Sequence, residues 1–522
     1  MKLARLRSAA FHGLDAVPVE VEVDGFESET PGIVIVGLPD AAVKESKDRV
    51  LAAVKNSGYN PYKMRFTVNL APGDLKKEGA LYDLPVALGI LYLLKAYENT
   101  KTTSDYFIVG ELGLSGETRP IYGALAIAML ARDQGKKGIL IPAANAKEAA
   151  AVPGIDVIPI HSLNEAVQFF RKPSSIPPVS TNISNDLFKN AAPLVDFSDI
   201  KGQLHVKRAM EIAAAGGHNV VLSGPPGSGK TMIAKALTGI MPELTVEEAL
   251  ETTKIHSIIG LLPEGQSIVT QRPFRSPHHT VSYAGLIGGG SSPRPGEVSL
   301  AHNGILFLDE LPEFGRPVLE VLRQPLEDRK VTISRANGNF TFPTSFICIA
   351  AMNPCPCGHL GHPEKACTCT MLQVKRYRSK ISGPLWDRLD MHVEVPALRF
   401  ADISQRQQGE SSVTVRERVS AARQRQHKRF KMIKTNAQMS SSDLKTFCPL
   451  DYASQELLRQ AIDGRGISAR ACYRLMRVAL TIADLEGSET LSSDHLMEAI
   501  SFRNPQLESP ALPTLEPASS FQ

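Results

Sequence analysis

The chain has 522 residues, of which 43% are hydrophobic and 21% charged, and its formal net charge is +4. This length predicts two or three domains of an ordinary soluble globular protein. The weak positive charge permits a nucleic-acid partner without indicating one, and the longest apolar run (84–94) is too short to span a bilayer, which needs roughly 20 residues.

The N-terminus, MKLARLRSAAFHGLDAV, carries basic residues without a sustained apolar stretch, so we do not expect it to be a secretory signal. Seven cysteines in a chain without a leader indicate a reducing compartment. Clustered cysteines in such a compartment bind metal more often than they form disulfides. We therefore expect a cytoplasmic protein that makes no contact with a membrane.

Strand-like and helix-like patterns alternate through the first predicted domain, residues 1–171. Two of its segments, 67–91 and 108–145, resemble the Lon protease domain, which has a ribosomal S5-type fold. Lon-type proteolysis needs a serine nucleophile and a lysine base. Leu81 occupies the position of the serine, and no lysine follows in the second segment until Lys136. The resemblance thus implies a Lon-like fold without its catalytic dyad, and we expect no protease activity.

Residues 172–193 are rich in Pro, Ser and Asn, which predicts a linker. An α/β core is predicted over 194–400. Its apolar runs HNVVLSG, GILFLDE and FICIAAMN each end in polar residues, as do strands buried on both faces of a parallel sheet. Helical patterns then predict a helical lid over 401–503, and the proline-rich tail at 504–522 is predicted to be disordered.

A phosphate-binding loop is the clearest motif of the core. The sequence GPPGSGKT matches G-x-x-x-x-G-K-[ST] and lies between a predicted strand and a predicted helix. Backbone amides and the helix N-terminus would bind phosphate oxygens, Lys230 would reach the β- and γ-phosphates of ATP, and Thr231 would ligate Mg²⁺. The residues predicted to bind the nucleotide are Gly224, Pro225, Pro226, Gly227, Ser228, Gly229, Lys230 and Thr231.

Two adjacent carboxylates follow the run ILFL. Asp309 would hold Mg²⁺, and Glu310 would orient and deprotonate the attacking water. An Asp-Glu pair by itself usually marks only the surface end of a strand. Downstream of a phosphate-binding loop, it predicts ATP hydrolysis.

The order of these motifs resembles the AAA+ ATPases. The resemblance implies that Asn353 is sensor 1, that Arg388 in SGPLWDRLD is an arginine finger for the neighbouring subunit, and that Arg470 in ISARACYR is sensor 2. A lone arginine is more often solvated or salt-bridged, and the ordered series favours the finger. A trans-acting arginine requires a ring, which the resemblance implies is a homohexamer.

Two insertions refine the class. Residues 272–304 resemble the signature of the magnesium-chelatase ATPase subunits. In 330–346, two strand-like runs flank Asn337-Gly338, a strong hairpin signal. Such hairpins in this group resemble pore elements that grip DNA. The DNA contacts suggested on this basis are Lys330 and Arg335, then Arg272, Arg275, His278 and His279, with packing or capping as the alternative for the two histidines.

A Lon-like domain joined to a chelatase-like AAA+ module resembles the YifB/ComM family of Mg-chelatase-like proteins over residues 1 to about 505. The resemblance implies a hexameric helicase that drives branch migration of recombination intermediates in natural transformation. DNA and recombination proteins would then be its partners. The alternative is a chelatase-like motor that remodels a protein partner, and DNA-stimulated ATP hydrolysis separates the two.

Four cysteines stand in two C-x-C pairs within fifteen residues, at Cys355, Cys357, Cys367 and Cys369. Thiolates in this number favour a structural zinc with no open coordination position and no catalytic role, although C-x-C is a less usual spacing than C-x₂-C. His359 and His362 are rival ligands, and unmetallated cysteines are the alternative. Cys348, Cys448 and Cys472 lie in apolar or helical settings typical of a core.

A basic run, QVKRYRSK, follows the cysteines. It would present Arg376, Arg378 and Lys380 to a DNA backbone, with Tyr377 available for stacking on a base. The alternative is an ordinary solvated helix face.

Overall fold

The computed structural model describes residues 3–61, 63–98, 100–180, 194–263, 265–290, 293–335, 338–397, 409–465 and 468–503. Most of the predicted linker and the predicted tail therefore lie outside the described residues. The chain divides into two compact units. The first unit comprises Met1–Lys189 and Thr245–Thr270, and the second comprises Asn190–Leu244 and Gln271–Gln522.

The first unit is built on a mixed seven-stranded sheet with the order β3-β4-β2-β1-β5-β8-β9. Its strands, and a separate two-stranded ladder of β6 and β7, are β1 (Ala4–His12), β2 (Asp15–Glu27), β3 (Gly32–Val36), β4 (Met64–Ala71), β5 (Tyr106–Ile108), β6 (Glu111–Leu112), β7 (Thr118–Arg119), β8 (Gly138–Pro142) and β9 (Asp156–Ile160). β2 runs antiparallel to β1 and β4, and the other neighbours in the sheet are parallel. The start of the predicted linker belongs to this unit, because Val179 N–H donates to Val157 O at 2.8 Å.

Helices cover the sheet of the first unit. They are α1 (Ala41–Asn56), α2 (Asp83–Leu93), α3 (Thr100–Ser104), α4 (Ala124–Asp133), α5 (Ala146–Ala149), α6 (Leu163–Arg171) and, from the second segment, α9 (Val246–Ile258). Leu84, Leu88 and Leu91 of α2 are fully buried in the core of this unit.

Residues 245–270 pack in the first unit, whereas the sequence analysis assigned them to the core at 194–400. Buried Glu148 accepts hydrogen bonds from Leu125 N–H at 2.8 Å and from the Ser257 hydroxyl of α9. Lys254 of the same helix pairs with Asp15 at 2.6 Å. The difference has a physical reason, since an amphipathic helical pattern shows that a face will be buried but not which core will bury it.

The second unit contains a parallel five-stranded sheet with the order β11-β14-β17-β10-β18. Its strands are β10 (Val220–Ser223), β11 (Phe274–Arg275), β14 (Ile305–Leu308), β17 (Ile347–Met352) and β18 (Met391–Glu394). Residues of β10, β14 and β17 are buried throughout, as their continuous apolar runs predicted. The α/β core with a parallel sheet is confirmed.

Helices surround this sheet and continue to residue 501. They are α7 (Leu204–Gly216), α8 (Lys230–Ile240), α10 (Tyr283–Ile287), α11 (Glu297–Leu300), α12 (Arg316–Val321), α13 (Arg323–Asp328), α14 (Met371–Arg378), α15 (Gly383–Trp386), α16 (Ser412–Phe430), α17 (Ser441–Phe447), α18 (Tyr452–Arg465), α19 (Ala469–Glu486) and α20 (Ser493–Ser501). The predicted helical C-terminal region is confirmed, and Val419 and Leu475 join the sheet residues in one hydrophobic core. In the described part of the chain, none of the helices has the length and hydropathy that crossing a bilayer needs.

The two insertions form small ladders. β12 (Gly288–Gly289) pairs with β13 (Arg294–Pro295), and β15 (Lys330–Arg335) pairs antiparallel with β16 (Gly338–Pro343). The predicted hairpin is therefore present. Its register pairs Arg335 with Gly338, so Gly338 lies in the strand and not in the turn as expected, and Asn337 lies outside the described residues.

Candidate nucleotide site and cysteine cluster

The glycine-rich loop begins at the carboxyl end of β10. This strand lies between β17 and β18, where the order of the sheet reverses, and ligands of open parallel sheets bind at such a point. A Cβ on Gly224 would lie 2.2 Å from Val395 O, so only glycine fits there. Gly227 (φ +77°) and Gly229 (φ +87°) adopt the left-handed conformation that glycine favours, and α8 starts at Lys230.

Lys230 and Asn353 meet at this loop. Lys230 Nζ donates to Gly224 O at 2.7 Å, Pro225 O at 2.9 Å and Asn353 Oδ1 at 3.2 Å. Burial lowers the pKa of Lys230, and the nearby charge of Asp309 opposes that effect. The buried Ser228 hydroxyl has no hydrogen-bond partner among the described residues. A phosphate fits here, because it would give both Lys230 and the orphaned hydroxyl an anionic partner.

Thr231 and Asp309 are also adjacent, as predicted. Thr231 Oγ1 donates to Asp309 Oδ2 at 3.1 Å, and Glu310 N–H donates to Asp309 Oδ1 at 3.0 Å. Hydroxyl and carboxylate oxygens are the ligands that Mg²⁺ prefers. The four side chains of Lys230, Thr231, Asp309 and Asn353 therefore fit a nucleotide with its magnesium ion.

Glu310 makes a contact that sequence reasoning missed. His279 Nδ1 lies 3.3 Å from Glu310 Oε2, and the His279 ring packs 4.1 Å from the ring of His278. Glu310 adopts φ +52°, a left-handed conformation that is uncommon outside glycine and concentrates at functional sites. The sequence suggests only DNA contact, packing or capping for His279, since spacing gives no sign of a contact 31 residues along the chain.

Arg388 and Arg470 converge on one carboxylate, Glu327 of α13. Arg388 donates to Arg323 O at 3.0 Å, to Pro384 O at 2.7 Å and, through Nη2, to Glu327. Arg470 Nη2 donates to the other Glu327 oxygen at 2.5 Å. In the single chain, Arg388 is thus the salt-bridged arginine of the alternative interpretation. Sequence reasoning missed Glu327, for which no motif gave a signal.

The four cysteines of the predicted clasp form one cluster. Their sulfur atoms all lie within 4.8 Å of one another, and Cys355 Sγ is 3.4 Å from Cys357 Sγ and 3.6 Å from Cys367 Sγ. Tetrahedral zinc with bonds of about 2.3 Å separates its sulfur ligands by about 3.8 Å. The cluster therefore matches a four-thiolate zinc site.

Backbone amides surround these sulfurs. Cys357 N–H donates to Cys369 Sγ at 3.4 Å, and Leu360 N–H donates to Cys355 Sγ at 3.3 Å. N–H groups of His359 and Thr368 lower the pKa of Cys357 to about 5, whereas burial and the neighbouring Cys357 sulfur raise the pKa of Cys367 to about 12. Without an ion the thiolate is therefore favoured at Cys357 and not at Cys367. The rival ligand His362 accepts backbone N–H bonds at its Nδ1. The metal-competent cluster consists of the four cysteines without either histidine.

Two arginines of the first insertion, Arg272 and Arg275, form hydrogen bonds with other residues of the same chain. Arg272 donates to Pro242 O at 2.6 Å, Asn303 O at 2.7 Å and Glu243 O at 3.1 Å. Arg275 forms a two-bond pair with Glu297 at 2.7 Å. His278 Nδ1 lies 2.8 Å from the Thr280 hydroxyl. These internal bonds argue against DNA contact by Arg272 and Arg275.

The remaining basic candidates differ in exposure. Lys330, Arg335, Arg376 and Lys380 are exposed, although Lys380 pairs with Glu313 at 3.0 Å. Arg378 is half-buried and donates to Pro354 O at 3.2 Å. The expectation that Tyr377 stacks on a base is wrong, because its ring is buried and burial raises its pKa to about 12.

Family models for the three parts of a chelatase subunit match most of the chain. The model described as magnesium chelatase, subunit ChlI, matches residues 196–403. The model described as subunit ChlI of Mg-chelatase matches 19–145, and that described as the C-terminal part of ChlI matches 409–503.

Two similar proteins span nearly the whole chain, and a third matches less than a third of it. The uncharacterized protein YifB of Escherichia coli (strain K12) is 41% identical over 511 residues, which cover 96% of this chain and 97% of that protein. The competence protein ComM of Haemophilus influenzae is 41% identical over 506 residues, covering 96% and 98%. Lon protease 2 of Bacillus subtilis is 31% identical over 169 residues, which cover 30% of this chain and 29% of that protein.

The family model that matches residues 196–403 covers the side chains that meet at the end of the parallel sheet, Lys230, Thr231, Asp309, Glu310 and Asn353. The fold and this site define an AAA+ ATPase of the magnesium-chelatase type. Within this class, the YifB and ComM proteins are similar to the chain over 96% of its length. The chain belongs to the YifB/ComM family.

Proposed function

We propose that the chain is an ATP-driven DNA motor, a homohexameric helicase that promotes branch migration of recombination intermediates in natural transformation. The nucleotide site formed by Lys230, Thr231, Asp309 and Asn353 is the observation that supports its motor chemistry. A similar protein bears the name competence protein, which supports a role in natural transformation.

Bound ATP supplies the phosphoryl group that is transferred to water, and its Mg²⁺ shields the charge of the phosphates. The loop amides and Lys230 hold the phosphates, while Thr231 and Asp309 hold the cation. Asn353 orients the attacking water. The Glu310 carboxylate accepts the proton of that water as its oxygen bonds to the γ-phosphorus and the bond to the ADP oxygen breaks.

Arg388 would act on the nucleotide of a neighbouring subunit, and Arg470 would serve as sensor 2. Their common partner Glu327 keeps the two guanidinium groups close together, which suits them for one phosphate. A ring in which each site borrows an arginine from the next subunit hydrolyses ATP only when assembled. This arrangement would couple hydrolysis to translocation along DNA, with recombination proteins as further partners.

The hairpin of β15 and β16 would contact the DNA backbone. Val331, Ile333, Phe340 and Phe342 are buried on one face of the hairpin, and Lys330 stands at its exposed face. Such contacts neutralise phosphates and carry no sequence preference. Arg335, Arg376 and Lys380 extend this proposed set.

The first unit is proposed to be a Lon-type fold that has lost its chemistry and acts in the cytoplasm as a binding module. Similarity to Lon protease 2 supports the fold. Leu81, at the position expected for the nucleophile, is buried and has a side chain that cannot attack a peptide bond.

DNA-stimulated ATP hydrolysis tests this proposal. Hydrolysis should rise on addition of branched or single-stranded DNA and should be lost in Glu310→Gln, which keeps the nucleotide site but removes the base. Hydrolysis that no DNA stimulates would instead support a chelatase-like motor that remodels a protein partner, the second candidate favoured by the matches to chelatase models.

A further inference from the structure

We propose that the four-cysteine cluster holds a zinc ion that braces the nucleotide-binding loop, so that ATP binding by this chain depends on zinc. Nothing in the chelatase-type ATPase mechanism requires such an ion. The inference rests on the nucleotide site of the proposed function, but not on DNA as its substrate.

The first line of support is a direct contact between the cysteine loop and the phosphate loop. Gly358 lies between the two cysteine pairs, with φ +81°. A Cβ placed on Gly358 would come 2.7 Å from Cδ and 3.2 Å from Cγ of Pro226. The backbone of the cysteine loop therefore packs against the phosphate-binding loop, closely enough to exclude any side chain.

The second line of support is the segment that joins sensor 1 to the cluster. Asn353 Oδ1 accepts from Lys230 at 3.2 Å, and Cys355 follows two residues later. Between them, Pro354 O accepts from Arg378 of α14 at 3.2 Å. Helix α14 starts directly after the last cysteine, with Thr370 as its N-cap. The cluster thus fixes both ends of the peptide that positions Asn353.

The third line of support is that this peptide has no regular secondary structure to hold its shape. β17 ends at Met352 and α14 starts at Met371, and the described residues between them form neither helix nor strand. Apart from Cys355 and Gly358, residues 354–370 are half-buried or exposed. Zinc binding therefore supplies the free energy that orders this loop.

Zinc removal from the full-length protein tests the inference. Purified protein is expected to contain about one zinc equivalent per chain. A chelator selective for zinc over magnesium should weaken binding of a fluorescent ATP analogue by about 10- to 100-fold in excess Mg²⁺, because small displacements of a binding group have effects of this size. Re-addition of zinc should restore binding. Cys369→Ser should behave as the chelated protein does, whereas Cys448→Ala, outside the cluster, should not.

A pair of glycine variants tests the contact itself without removing the metal. Gly358 and Gly361 lie in the same loop with similar backbones, φ +81° and φ +78°, but a Cβ on Gly361 would meet no atom within 4 Å. Gly358→Ala should weaken ATP-analogue binding by about tenfold with zinc retained, through displacement of Pro226. Gly361→Ala carries the same backbone strain and should bind nearly as the unaltered protein does.

Unchanged nucleotide affinity after zinc loss would overturn the inference, as would equal effects of the two glycine variants or protein that neither contains nor takes up zinc. If chelation unfolds the chain, the comparison of ATP-analogue binding by Gly358→Ala and Gly361→Ala still tests the contact between the two loops. Zinc-dependent ATP binding without any DNA stimulation would contradict the proposed DNA motor and leave this inference standing.

Discussion

The contact between His279 and Glu310 joins the first insertion to the residue proposed to activate water. Glu310 is more than half exposed, and its backbone stays in an uncommon conformation. A carboxylate in this position has many rotamers, and a neighbouring cation or hydrogen-bond donor selects one of them. His279 is therefore a positioning residue for the base.

His279→Ala should lower kcat for ATP hydrolysis by about tenfold with little change in KM, because Glu310 is misplaced while the phosphate contacts remain. His279→Asn, whose side-chain nitrogen can replace Nδ1, should recover most of the rate, and His279→Gln should not. His278→Ala removes the ring that packs against His279 but leaves the contact with Glu310, so its effect on kcat should be clearly smaller. Steady-state kinetics that give the same kcat for the His278 and His279 alanine variants would contradict this role.

A buried ion pair supports the segment that carries Arg388. Arg474 donates to the fully buried carboxylate of Asp390 and, at 3.1 Å, to Arg388 O. Burial alone would raise the pKa of Asp390, but the charge of Arg474, the His218 ring 3.7 Å away and a hydrogen bond from Asn219 N–H outweigh it and hold the pKa far below its usual range.

Arg474→Ala should reduce the free energy of unfolding by about 3–5 kcal/mol, because it leaves a buried carboxylate without its partner. The depressed pKa means that this stabilisation is complete above the usual aspartate value near 4 and declines as the pH falls below it. Denaturant titrations of both proteins at neutral and acidic pH measure this difference. A loss that is small at neutral pH, or that grows on acidification, would argue against the pair.

The β15–β16 hairpin is the element expected to sense DNA. Lys330→Glu combined with Arg335→Glu should abolish DNA stimulation of ATP hydrolysis without changing the basal rate, since neither side chain contacts the nucleotide site. Each lost phosphate contact should also reduce the slope of log affinity against log salt concentration by about 0.7–0.9. Lys428→Glu combined with Lys445→Glu, at exposed positions of α16 and α17, controls for net charge. DNA stimulation that persists in the double variant would exclude the hairpin as the sensor.

Elements with a strong local pattern could be predicted from the sequence, and contacts across the chain could not. The runs at Val220–Ser223 and Ile305–Leu308 indicated buried parallel strands because their neighbours on both faces are apolar. The phosphate loop was predictable because its chemistry fixes residue spacing. Helix α9 packs in the first unit through Ser257 and Lys254. The sequence of a helix does not show against which unit it will pack.

The candidate site likewise contains residues that motifs predicted and contacts that the sequence did not indicate. Lys230, Thr231, Asp309 and Asn353 meet as their motifs indicated, since the ends of parallel strands share one edge of a sheet. Tyr377 turned out to be buried because it faces Asn353 and not solvent. Glu327 contacts Arg388 and Arg470, which lie 61 and 143 positions further along the chain, so only the fold shows these contacts.

The assembled molecule is expected to share its active sites between subunits. Arg388→Ala lacks the arginine but retains Glu310, and Glu310→Gln lacks the base but retains Arg388. Each variant alone should be nearly inactive, and a mixture should regain part of the activity because some sites combine an intact base with an intact arginine. ATP hydrolysis measured across mixing ratios tests this. A mixture no more active than its components would place Arg388 in the site of its own subunit.

Branch migration on a synthetic three- or four-stranded DNA junction tests the central claim most directly. The unaltered protein should move the branch point in the presence of ATP and Mg²⁺, and Glu310→Gln should bind ATP without moving it. Migration that requires ATP and disappears in the variant is the result predicted for a DNA motor. Vigorous ATP hydrolysis with no movement of any junction would contradict it.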